Sequence, residues 1–128
     1  MLFRDLREYL HGLEEEGELK RVSVEVDPHL EIGAITRRIS ERRAPAALFD
    51  NIKRYAGHRM AGGLMGPGKP ALHARTAIAL GLDKHTHPLE IIQTVRDRLK
   101  ISKNPVLVAK EQAPCKEVIL RGGEANLS

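Results

Sequence analysis

Apolar and polar positions alternate along this chain in blocks whose period changes several times. Phe3, Leu6, Leu10 and Leu13 fall at helical spacing, and Arg4, Arg7, Glu8 and the acidic residues 14–16 lie mostly off that stripe. This predicts a first helix, with Gly17 at the left-handed position that ends it. The period then drops to two. Val22, Val24 and Val26 point one way and Arg21, Ser23 and Glu25 the other, the signature of a strand. Asp27-Pro28 is expected to open a second helix, with Asp as N-cap and Pro at the first helical position. Ile32, Ile35 and Ile39 form its buried stripe and Arg37, Arg38, Glu41 and Arg42 its wet face, until Pro45 stops it.

Residues 46–52 read as a short buried strand and residues 59–64 as another. A glycine-rich loop occupies residues 62–70, followed by a helix over about 71–80 that Gly81 ends. Pro88 starts the next helix, with Leu89, Ile92, Val95 and Leu99 expected inward. After Pro105 comes an apolar stretch at 106–109, and Val118, Ile119 and Leu120 suggest a last strand. No core pattern follows Gly122. The predicted order is α-β-α-β-β-α-α-β, an α/β (α+β) fold in which a mixed sheet is packed with about four helices. Residues 1–128 are expected to form a single domain, with 110–128 as a connector.

Composition changes this picture little. A chain of 128 residues, 41% apolar and 30% charged, is an ordinary globular domain. Only Phe3, Tyr9, Phe49 and Tyr55 are aromatic, so the core must be mainly aliphatic. The net charge of +4 favours anions without requiring one. Cys115 is the single cysteine, which excludes an internal disulfide and a cysteine-based zinc site within one chain. The N-terminus turns charged at once, unlike a signal peptide, and no apolar run approaches the ~20 residues that span a bilayer. A cytoplasmic setting is expected, without membrane or nucleic-acid partners.

Four groups of residues invite a chemical reading. Residues 63–69 run from Gly63 to Gly68-Lys69 and satisfy Gly-x-x-x-x-Gly-Lys, the start of a phosphate-binding loop. Pro70 stands where that motif needs a hydroxyl, and Pro67 removes an amide donor, so a strand-to-helix loop is the preferred reading. His85 and His87 are spaced like metal ligands, with Asp83 near, but lack the further ligand that such sites add. Arg37, Arg38, Arg42 and Arg43 form a basic cluster that suits nucleic acid; Glu31 and Glu41 interrupt it, and stacking aromatics are scarce. Glu14, Glu15, Glu16 and Glu18 read as a solvated helix end. Lys116 sits beside Cys115, yet no neighbouring His provides a base. The residues alone therefore define no catalytic, cofactor-binding or metal site. A phosphate- or nucleotide-binding module built on Gly63 to Lys69, or a basic adaptor built on Arg37 to Arg43, remain the alternatives.

Several segments together resemble the start of the UbiD family of decarboxylases. Residues 3–10 (Phe-Arg-Asp-Leu-Arg-Glu-Tyr-Leu) are similar to its first helix, and Gly17-Glu18-Leu19 with Val24-Glu25-Val26-Asp27-Pro28 to its next turn, strand and helix start. Leu30-Glu31-Ile32 through Ile35-Thr36-Arg37-Arg38 is the most telling stretch. Leu48-Phe49-Asp50-Asn51, Leu80-Gly81-Leu82 and Ala113-Pro114-Cys115-Lys116-Glu117 follow in family order, with wording closest to ferulate and arylacrylate decarboxylases. The resemblance implies a carboxy-lyase that releases carbon dioxide from an aromatic or α,β-unsaturated acid using prenylated FMN with manganese and potassium. It also implies a cofactor-binding domain downstream that carries every catalytic and metal-holding residue. The apolar stretch at 106–108 and the tail from Val118 are expected to leave surface through which the chain self-associates as a homo-oligomer. This chain is then the non-catalytic N-terminal domain, inactive alone.

Overall fold

The computed structural model describes residues 2–69 and 71–125. It divides into two compact units, Met1–Arg98 and Leu99–Ser128. In the first unit, helix α1 (Leu6–Glu15) leads to strand β1 (Leu19–Val22), helix α2 (Glu31–Arg42), strands β2 (Ala46–Phe49) and β3 (Met60–Gly62), and helices α3 (Ala74–Ala79) and α4 (Pro88–Leu99). This is the α+β class expected, with four helices and a mixed three-stranded sheet.

The sheet has the order β1-β2-β3. β1 and β2 run parallel, from Leu19↔Ala46 to Val22↔Phe49, joined by the crossover helix α2. β2 and β3 are antiparallel, with Leu48 opposite Ala61. All four residues of β2 are buried. Its alternating side chains feed two cores, as strand geometry requires. Ala46 and Leu48 join Tyr9, Leu13, Leu19 and Ile78 on one face. Ala47 and Phe49 join Val26, Ile32 and Ile52 on the other. Ile35 and Ile39 pack on that second cluster half-buried, on the side the 3.6-residue period placed them.

Three helices end alike. Gly17, Arg43 and Gly81 adopt left-handed backbone at φ +73°, +53° and +70°. After α1, the Gly17 N–H donates to Glu14 O and the Glu18 N–H to Leu13 O, a paired closure that satisfies carbonyls the helix leaves open. The same pattern recurs at Arg43-Ala44 and at Gly81-Leu82.

Four expectations shift. On α1, Tyr9 and Leu13 are the buried residues, whereas Leu6 is exposed. The first strand starts earlier, at Leu19, because the closed helix end delivers the chain straight onto β2; Val24 is exposed in a gap before Val26 bridges Ile52. Asp27-Pro28 does not open α2. Asp27 instead closes a turn by accepting from His29 N at 2.9 Å, and the helix begins three residues later, behind Leu30 at φ +67°. On α4 only Ile91 is buried, while Leu89, Ile92, Val95 and Leu99 face outward. The helix turns Ile91 to the fold and anchors through Arg98, which donates to Leu80 O at 2.9 Å.

In the second unit, residues 110–112, 114–116 and 122–124 form 3-10 turns. No described residue after Leu99 is buried. Val118, Ile119 and Leu120 do not form the expected strand. A three-residue apolar run has no ladder partner among the described residues, so nothing fixes it as β.

Candidate functional site

The glycine loop is closed from below by an ion pair that sequence reading did not find. Arg75, in the first turn of α3, is fully buried, and Glu18, the residue after the glycine that ends α1, is 4% exposed. Their side chains meet at 2.9 Å, Arg75 Nη1 to Glu18 Oε2. The guanidinium also donates to three backbone carbonyls: Gly66 O at 3.1 Å, Pro67 O at 2.6 Å and Ala44 O at 3.0 Å. A buried charge pair survives only when its remaining donors are satisfied in this way.

The glycines follow from that geometry. A Cβ on Gly68 would lie 2.9 Å from Glu18 Oε2, and one on Gly66 would lie 3.3 Å from Arg75 Nη2. Gly63 turns the chain at φ +78°. The Tyr9 hydroxyl completes the arrangement, sharing its proton between Leu64 O at 2.9 Å and Arg75 O at 3.0 Å. Burial pushes this phenol up to about 12; Arg75 opposes that rise and Glu18 adds to it.

The loop thus has the wrong polarity for a phosphate. A phosphate cradle turns N–H groups inward, whereas this loop turns carbonyls inward onto a guanidinium. Lys69 is exposed. Glu18 departs from its expected solvated role. Glu14 and Glu16 keep theirs, pairing at the surface with Arg21 and Lys84. One sign of the buried pair was legible: Arg75 lies one turn before Ile78 and Ala79, inside the apolar stripe of α3.

The other candidates stay apart. His85 N donates to Asp83 Oδ1, and His87 Nδ1 accepts from Leu89 N at the start of α4. Among the described residues no three His, Cys, Asp or Glu side chains gather as a metal site would need. Arg37 and Arg38 both bind Glu41, and Arg43 serves as the left-handed residue ending α2. Cys115 is exposed. No helix among the described residues is long and apolar enough to cross a membrane.

A second feature is a cleft of about 540 Å³ between α1 and β3. Leu10, Leu48 and Ala61 form its floor. Arg7, His58 and Arg59 line it with Asp5, whose Oδ1 caps α1 at Glu8 N.

Comparison with known proteins places this architecture. Residues 10–95 match the family described as 3-octaprenyl-4-hydroxybenzoate carboxy-lyase N-terminal domain, the UbiD N-terminal domain, and the chain belongs to that family. It is 37% identical over 128 residues to a pyrrole-2-carboxylic acid decarboxylase of Pseudomonas aeruginosa, a match covering 97% of this chain and 25% of that protein. It is 40% identical over 129 residues to ferulic acid decarboxylase 1 of Candida dubliniensis, covering 87% of this chain and 24% of that one. In structure it is similar to vanillic acid decarboxylase of Sedimentibacter hydroxybenzoicus in its open form, with a TM-score of 0.74, 35% identity, and 92% and 24% of the two chains covered. The closed form of that enzyme gives 0.74 at 33% identity. The chain therefore spans about a quarter of the length of these relatives.

Proposed function

We propose that this chain works as the non-catalytic N-terminal domain of a carboxy-lyase, packing against the part of the enzyme that does the chemistry. The observation that carries the reading is the closed glycine loop. The one segment that resembles a nucleotide site is filled by Arg75 and Glu18. The glycine loop, its carbonyls turned onto Arg75, does not fit a flavin phosphate, and no three His, Cys, Asp or Glu side chains among the described residues gather to hold a divalent ion. No catalytic, cofactor-binding or metal role is therefore assigned to this chain. Prenylated FMN, manganese and potassium belong in this reading to the remainder of the enzyme, which acts on an aromatic or α,β-unsaturated acid in the cytoplasm as a homo-oligomer. Residues 110–128, none of them buried among those described, serve as the connector toward it.

The test is a transplant. Residues 1–128 replace the matching quarter of the Pseudomonas aeruginosa decarboxylase, and carbon dioxide release from pyrrole-2-carboxylate is measured on the flavin-loaded chimera. Activity retained in a soluble chimera supports the proposal. A folded, flavin-loaded chimera that releases nothing contradicts it.

A further inference from the structure

We propose that the cleft between α1 and β3 receives an extended polypeptide segment presenting one apolar and one acidic side chain on the same face. On the reading above that segment comes from the remainder of the carboxy-lyase.

Three observations carry this. β3 is an edge strand, paired only with β2 among the described residues. An uncovered edge offers backbone donors and acceptors to an incoming strand. Beside it, Leu10, Leu48 and Ala61 make an apolar floor, and Leu6, which also lines the cleft, is 57% exposed. Finally, the cations at the cleft are open. Arg4, Arg21 and Lys84, all near α1, are bound by Glu8, Glu14 and Glu16. The side chains of Arg7 and Arg59 make no ion pair or hydrogen bond among the described residues. The acid at the same rim, Asp5, has one oxygen committed to Glu8 N. An apolar floor edged by two unpaired guanidinium groups selects an apolar side chain followed by a carboxylate, which Arg binds in fork geometry. In an extended chain, side chains two residues apart share a face, so the motif is apolar-x-acidic. A strand edge favours a polypeptide over a phosphate backbone.

The probe is the peptide acetyl-Thr-Leu-Thr-Glu-Thr-amide, titrated into the intact 128-residue chain and followed by amide chemical shifts. Shifts are expected at residues 57–62 and along the first turns of α1. Binding should weaken about tenfold in the Arg7→Ala/Arg59→Ala variant, and likewise when Lys replaces Glu in the peptide, because the charge pair sets specificity. Both arginines are exposed, so the variant is expected to keep its spectrum elsewhere. Equal binding of the two peptides, or shifts located elsewhere, overturns the proposal. A dimer of the chain that this double variant dissociates also overturns it, because a second copy is then the occupant. An active transplant whose cleft ignores the peptide removes this site alone and leaves the domain reading standing.

Discussion

Arg75 decides more than any other side chain. It holds Glu18 and three carbonyls from two loops. Removing one partner of a buried pair strands the other charge, which typically costs about 3–5 kcal/mol. Arg75→Met is expected to lose that much in urea unfolding. Adding Glu18→Met should recover only part of the loss, since the carbonyls of Ala44, Gly66 and Pro67 remain without their donor. Full recovery in the double variant would mean that the carbonyl contacts contribute nothing.

Tyr9 gives a pH signature at the same place. Its phenol, pushed by burial up to about 12, keeps its proton in the folded chain after the unfolded chain, titrating near 10, has released it. The folded state therefore holds more protons across that interval, and stability falls as pH rises through it. Below the interval the contribution is intact. Comparing urea midpoints at about pH 9 and about pH 11 should show this decline in the parent, and a smaller one in Tyr9→Phe. An identical decline in both would assign the alkaline loss to other groups. The position of Arg75 within the apolar stripe of α3 was the one legible sign of this pair; Glu18 gave none. A charged residue after a helix-ending glycine looks solvated, and its burial depends on a partner 57 positions away.

At the scale of elements, local chemistry was legible where it was self-contained. Gly17 and Gly81 end their helices as read, since left-handed closure needs only the few residues around each. β2 was legible from its apolar run. The start of α2 was not, because Asp27 is equally suited to cap a helix or to close a turn on His29. α4 shows the limit of periodicity most plainly. Its stripe of Leu89, Ile92 and Val95 is real, yet this fold buries the neighbouring Ile91 instead. Pattern gives a helix its faces; which face is covered depends on what packs there. The phase can be measured. Ile91→Ala should cost about 2–5 kcal/mol, as for emptying a buried aliphatic site. Ile92→Ala should stay within about 0.5 kcal/mol, as for a surface change. The reverse order would put the stripe inside.

For the molecule as a whole, the fold class followed from the interleaving of periods, and the family from the order of short motifs, each of them weak alone. The candidate site was read from only part of its physical reason. The glycine loop was seen, and Pro67 and Pro70 argued against phosphate, but the positive reason lay in contacts across the fold. That reason makes this a domain whose most nucleotide-like feature is already occupied by its own side chains. The central claim is that the chain holds no cofactor of its own, and the direct measurement is a titration of the 128-residue chain with prenylated FMN and manganese, followed by the flavin absorbance after gel filtration. The account predicts that the flavin elutes free of protein at every ratio. Stoichiometric flavin carried with the chain would contradict it.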